Sequence, residues 1–170
     1  GPLARCVDDA RLFLRATQGP DESDVLSVTT PLDLTEPVVP DVRGKRIGLS
    51  IDLDNWHVSP GVAAAVRNAA DALSDAGAEI VEVHPRFTGA EEQEWNKLWE
   101  VFMATYYGHL VPEFGDRMDP NVLAIIERGF AMSAVEYKKV DYTRSDLWRR
   151  MRLILDANDA LLCPTMATGP

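Results

Sequence analysis

Lys45-Arg46-Ile47-Gly48-Leu49-Ser50, the segment Pro60 to Ala76, and Glu79-Ile80-Val81-Glu82-Val83 form the stretch that decides the fold. An apolar run of strand length is followed by Val62, Val66, Ala69 and Leu73 at helical spacing. A second short run of strand length comes next, with β-branched Ile80, Val81 and Val83. A connection long enough to hold a helix joins parallel strands, and joins them right-handedly with the helix against one face of the sheet. The fold class is therefore α/β, with residues 45–84 as a strand-helix-strand unit.

Outward from that unit, Val7, Ala10, Phe13 and Leu14 recur at helical spacing up to Gln18, and Gly19-Pro20 stops the pattern. Residues 20–44 contain Pro20, Pro31, Pro37 and Pro40 and the acidic run Asp21-Glu22-Ser23-Asp24. They show no period and read as a surface loop wrapped over a neighbouring element. Downstream, residues 90–110 predict a long helix with Trp95, Trp99, Phe102 and Tyr106 at i, i+4, i+7 and i+11. A short helix over 120–129 follows. Ser133 with Glu136 three residues later is a capping box, opening a helix to about Asp156 whose inward face holds Tyr137, Val140, Leu147, Met151 and Leu155. Ala160-Leu161-Leu162-Cys163 closes the chain as a strand broken by Pro164. Neither end reads as a natural terminus.

The chain has 170 residues, 46% of them hydrophobic, enough for one domain or a large part of one. Its formal charge of -10 argues against a nucleic-acid groove and against an anionic membrane surface. No apolar window approaches the ~18 residues of a membrane span. Cys6 and Cys163 are the two cysteines, too far apart for a metal knuckle or a disulfide framework, so a reducing, cytoplasmic setting is expected.

The sharpest local pattern is Ile47 to Asp54, an apolar strand running into Asp52-x-Asp54. Two carboxylates so placed supply a nucleophile and an acid around magnesium in phosphatases of the haloacid-dehalogenase type. The downstream lysine and second acidic pair of such enzymes find no match, and the expectation is a polar turn. His57, His84 and His109 are scattered, without the helical spacing of a zinc pair. No Gly-x-Ser-x-Gly elbow and no Gly-rich phosphate loop occurs. Among the aromatic residues, Phe102 and Tyr106 are expected in the core, whereas Trp95 and Trp99 are pocket candidates. Lys138, Lys139, Arg144, Arg149, Arg150 and Arg152 make the last helix locally basic, a solvated face.

Gly1-Pro2-Leu3-Ala4-Arg5-Cys6-Val7-Asp8-Asp9-Ala10 resembles the Gly-Pro-Met/Leu-Ala-Arg-Thr/Ser-Val-x-Asp-Ala stretch of amidase-signature enzymes. Val42-Arg43-Gly44-Lys45-Arg46-Ile47-Gly48 is similar to that family's Leu-Arg-Gly-x-Arg-Ile-Gly. Ser133-Ala134-x-x-Tyr137 and Leu161-Leu162-Cys163-Pro164-Thr165 continue the series in the family's order. The resemblance implies an α/β/α sandwich around a mixed sheet covered by helices, of which residues 1–170 are a part. Within it, 1–19 are the helix after the serine loop, 90–156 helical cover, and 160–166 a strand and pocket loop.

It also implies hydrolysis of the C–N bond of a carboxamide through a serine nucleophile, a bridging cis-serine and a lysine, with no cofactor and no metal. A neutral lysine acts through the bridging serine to take the nucleophile's proton, and backbone amides hold the oxyanion. None of the three maps onto this chain, so no catalytic residue is expected here and the isolated segment should be inactive. What the segment supplies, by resemblance, is substrate wall: Cys163 and Met166 beside the acyl portion, and Trp95 and Trp99 in the helix whose variation changes substrate choice. Cys163 stands where the family often has Thr, and reads either as a mark of substrate preference or as a small buried apolar side chain. Cys6, where the family has Thr or Ser, weakens a helix cap. The implied partners are a small-molecule amide and the remainder of the amidase domain, with a homodimer left open. Two alternatives stand beside this reading, a non-catalytic α/β binding module and a glutaminase-like subunit of a tRNA-dependent amidotransferase.

Overall fold

The structure, a computed structural model, describes residues 2–35 and 41–169 and divides into two compact units, residues 1–41 and 42–170. Pro37 and Pro40 of the expected loop, with Gly1 and Pro170, lie outside the described residues.

The first unit holds α1, Val7–Thr17. Cys6 occupies its N-cap in extended conformation and makes no side-chain cap bond, as the loss of a hydroxyl there predicts. The loop after α1 folds back on it. Gln18 Nε2 donates to the Leu32 carbonyl at 2.7 Å while its Oε1 accepts from the Leu32 amide at 2.8 Å, and Arg11 Nη1 reaches the Leu34 carbonyl at 3.1 Å.

In the second unit, β1 (Arg46–Leu49), α2 (Pro60–Asp75) and β2 (Glu79–Glu82) form the expected crossover, with Ile47 opposite Ile80 in a parallel pair. Closing the chain, β3 (Ala160–Leu162) pairs with the other side of β1, also parallel, giving the order β2-β1-β3. Every strand pair among the described residues is parallel. Such a sheet satisfies its backbone only when both neighbours of the central strand are present, so β1 depends on a strand more than 100 residues away.

Gly77 ends α2. Its φ of +100°, with Ala78 N donating to Leu73 O at 3.0 Å and Gly77 N to Ser74 O at 2.9 Å, is the paired-bond C-terminal motif that requires a left-handed residue. The buried face of α2 is Ala63 and Ala70, with Val66 and Leu73 half-buried. Ala69, expected inward, is exposed. A row 63, 66, 70, 73 follows the helix as regularly as 62, 66, 69, 73, and two small alanines suit a close approach.

The long helix forms as α3, Gly89–Tyr107, followed by a 3₁₀ turn, the short α4 (Val111–Phe114), α5 (Pro120–Ala131) and α6 (Ala134–Ala157). Both Thr88 with Glu91 and Ser133 with Glu136 form capping boxes. These helices pack chiefly on one another, α3 against α5 and α6, with α6 also touching β3. The deepest side chains of these helices are Ile126 of α5 and Val140 of α6, each 1% exposed.

The aromatic expectation is overturned. Phe102 is 40% and Tyr106 61% exposed; with Trp99 they form an outward ladder, Trp99 stacked on Phe102 at 5.3 Å and Phe102 tilted by 38° against Tyr106 at 4.6 Å. The face turned inward carries Leu98, Val101, Ala104 and Gly108, because Gly129 of α5 lets that smooth side approach closely. Along α6, Val140 is buried and Leu147 and Met151 half-buried as expected, but Tyr137 and Leu155 are exposed and Ile154 takes the inward place. No helix among the described residues is long and apolar enough to cross a membrane.

Candidate active-site wall at the carboxyl ends of the strands

In an open parallel sheet, ligands bind in the crevice beyond the carboxyl ends of the strands. Here those ends run into three segments: 50–58 after β1, 83–88 after β2 and 163–167 after β3. Three clefts open among them: one of about 600 Å³ is bounded by Ser50, Asp52, Val83 and His84, and the other two flank Trp56. Of these two, the smaller, about 250 Å³, lies between Leu53, Trp56 and Val58 and the segment Pro164 to Ala167. The larger, about 460 Å³, lies between Trp56, Phe87 and Trp95 on one side and Val140, Thr143 and Leu147 of α6 on the other. Trp56 borders both.

The polar turn after β1 is present. Asp52 Oδ1 accepts from the Asp54 amide at 2.8 Å and its carbonyl from Asn55 and Trp56, both at 3.0 Å. Leu53 and Asp54 have φ of +51° and +66°, and Arg86 after β2 has φ of +57°. These three are the non-glycine residues of positive φ among the described residues, and all lie at one corner of the fold. Each such residue costs of order 1 kcal/mol or more and persists only where its surroundings hold it.

The holding bonds are visible. Phe87 N donates to Leu53 O at 3.1 Å, Arg86 N to Asp54 Oδ2 at 2.7 Å, and His84 Nδ1 to Asp54 Oδ1 at 2.9 Å. Arg150 reaches over from α6 and donates to the carbonyls of Arg86 and, at 3.3 Å, Pro85, and to the Glu91 carboxylate. The result seats the Phe87 ring 5.1 Å from Trp56, tilted by 54°.

Hydrogen bonding to His84 and to the Arg86 amide holds the Asp54 carboxyl below its usual range, and the Asp54 carboxylate raises His84 above its ordinary 6.5. A raised folded value means that this bond's stabilisation is fully present below about pH 6.5 and is lost as the pH rises through the folded value. NMR titration of the His84 imidazole is expected to give a midpoint above 6.5, returning to the ordinary value in Asp54→Asn. An unchanged midpoint in that variant would refute the pairing.

Of the residues expected from sequence, Met166 lines the smaller cleft and Trp95, 62% exposed, the larger. Cys163 sits half-buried at the head of the post-β3 segment, where burial pushes its thiol up. Trp99 lines none of the three clefts and belongs to the outward ladder. Trp56, Phe87, Glu91 and Arg150 are residues that sequence reasoning misses. The first is absorbed into a polar turn, but Thr88-x-x-Glu91 before an apolar helix is a legible capping signal. Arg150 groups in sequence with the solvated basic face, to which Lys138 with Asp141, Arg149 with Asp146 and Arg152 with Asp156 do belong.

A family model described as Amidase matches residues 1–170. The chain is 30% identical to an acylamidase of Rhodococcus erythropolis, over 99% of this chain and 36% of that protein. It is 28% identical to an amidase of Pseudomonas putida, over 98% of this chain and 36% of that one. It is also 40% identical over 89 residues to a glutamyl-tRNA(Gln) amidotransferase subunit from Thermosynechococcus vestitus, covering 51% of this chain and 18% of that relative. Among solved structures, a bacterial aryl acylamidase of the amidase signature enzymes matches the fold with a TM-score of 0.86 at 23% identity, covering 98% of this chain and 36% of that one. The chain thus spans little more than a third of the relatives it matches from end to end.

Proposed function

The chain belongs to the amidase family, and from that premise we propose that it serves a hydrolase of carboxamides as scaffold and substrate wall, with the catalytic groups contributed from outside residues 1–170. The observation that carries this reading is the convergence of Trp56, Met166 and Trp95 on clefts beyond the carboxyl ends of three parallel strands. The nucleophile is expected outside this wall: burial pushes the Cys163 thiol up and so disfavours its thiolate, and the His84–Asp54 pair pins two turns. By family resemblance a serine, a bridging serine and a lysine perform acyl transfer, and an oxyanion hole of backbone amides stabilises the intermediate. Cys163 and Met166 then border the acyl group, while Trp95 shapes the approach; Trp99, on the outward ladder, has no part in it.

The test is amide hydrolysis assayed in parallel on the natural gene product and on residues 1–170 alone. Amine release by the product and none by the segment is the expected result. Activity in the segment would place the nucleophile within it and sink the division of labour. Inactivity of both across aliphatic and aryl amides would favour a non-catalytic binding module on the same scaffold.

The amidotransferase relatives favour a second reading, a glutaminase-like subunit, over about half the chain. Glutamine hydrolysis that rises on adding a co-encoded partner protein would support it.

A further inference from the structure

We propose that the cleft between Trp56, Phe87, Trp95 and α6 is a preformed seat for an aromatic ring that carries no negative charge, and that this ring is part of the amide substrate. The inference deepens the reading of the crevice as substrate wall and rests on it for the identity of the ligand.

Three observations carry it. The size is right: about 460 Å³ lies in the range of small-molecule sites. The wall chemistry is right as well. Three aromatic rings and Leu98, with Val140 and Leu147 of α6 opposite, present the apolar surface on which a ring gains offset or edge contacts. The shape is also fixed in advance. All three positive-φ non-glycine residues among the described residues lie at the corner that carries Trp56 and Phe87, and hydrogen bonds to or from Asp54, Leu53, His84, Arg86 and Arg150 hold it there. Strain concentrated where a cleft is built is the pattern of a binding site, since a rigid wall spares the ligand the cost of ordering it.

Charge sets the exclusion. Glu91, Glu92 and Glu94 line the same cleft; Glu91 is already met by the Arg150 guanidinium, and the cleft's own Arg144 faces Asp141 at 3.5 Å. Glu94 is paired through Oε1 with Lys97, while its buried Oε2 has no hydrogen-bond partner among the described residues. Aromatic faces are themselves electron-rich. An anion entering here meets repulsion from both, in a chain of formal charge -10.

Equilibrium dialysis of the natural gene product against 1-naphthol and 1-naphthoate at pH 7 tests this, because the two share a ring and differ in charge. Naphthol is expected to bind at least tenfold more tightly than naphthoate. Its affinity should fall at least tenfold in Trp56→Ala, and likewise in Thr143→Phe, which fills the cleft from α6 and leaves the Trp56–Phe87 corner intact. Equal affinities for the two probes, or naphthol binding unchanged in Thr143→Phe, would overturn the proposal, and the second variant decides if the first does not fold. Failure of the underlying reading looks different. Ring binding that behaves as stated in a product that hydrolyses no amide removes the hydrolase and leaves the seat, whereas amide hydrolysis without ring binding removes the seat alone.

Discussion

Gly129→Ala is expected to destabilise the fold by about 3 kcal/mol, the upper part of the ordinary range for overpacking. A Cβ at this position would stand 2.1 Å from the carbonyl oxygen of Glu100 and 2.7 Å from the Ala104 Cβ. Neither obstacle can move by changing a rotamer. The carbonyl belongs to the backbone of α3, and the methyl has no torsion to yield, so α5 and α3 must separate. Separation opens the contact that buries Ile126 and Ala104. For a protein of this size the loss corresponds to roughly 6–12 °C in melting temperature. Gly61→Ala, in the first turn of α2 with nothing within 4 Å of its added Cβ, provides the contrast. Replacing a helical glycine there should be neutral or stabilise by up to ~1 kcal/mol. Denaturation midpoints of the two variants settle the matter, and equal midpoints would mean that the close helix approach is not what holds α5 in place.

The same contact explains a limit of the sequence reading. Helical period is legible in α3, and so is an aromatic stripe on one side of it. Which side faces inward is not, because Leu98, Val101, Ala104 and Gly108 repeat with equal regularity and a single glycine 25 residues beyond Ala104 tips the choice. Strands, crossover and capping box are local patterns, and they form with boundaries shifted by a residue or so. Pairing of β3 with β1 is non-local, and only the family resemblance points in advance to Met166, which lines the smaller cleft.

The site is less legible than the fold for a related reason. Trp56 and Phe87 lie 31 positions apart, in turns that alternation and helical period do not describe, and they meet because Leu53, Asp54 and Arg86 adopt backbone angles that non-glycine residues rarely take. A tryptophan next to Asp-x-Asp-Asn is hidden by the louder turn signal. Arg150 is hidden differently, among five other basic residues of one helix, and only its position on the inward side of α6 distinguishes it.

That position makes Arg150 the residue whose loss should be felt most. Its guanidinium meets the Glu91 carboxylate, 8% exposed, and the carbonyls of Pro85 and Arg86. Burial pushes the Glu91 carboxyl up, but hydrogen bonds from the Thr88 hydroxyl and from Arg150 outweigh it and leave the group at about 2. Relative to an ordinary 4.5, that depression is worth about 3 kcal/mol, present above pH 4.5 and lost as the pH falls toward 2. Arg150→Met keeps the aliphatic stem and removes the charge, leaving an ionised carboxylate buried beside two unpaired carbonyls. Breaking a buried pair from one side costs ~3–5 kcal/mol, so the variant should lose about 3 kcal/mol at pH 7. Its acid transition should also move up toward the ordinary carboxylate range, because Glu91 then protonates more readily. Adding Glu91→Gln to Arg150→Met should recover part of the loss, since a neutral amide needs no counter-charge while still accepting from the Thr88 amide. A double variant no more stable than Arg150→Met would show that the arginine acts on the 85–86 carbonyls rather than through Glu91. Its hold on the corner that seats Trp56 against Phe87 would then consist of those two carbonyl contacts, beside the bonds that Leu53, Asp54 and His84 already make there.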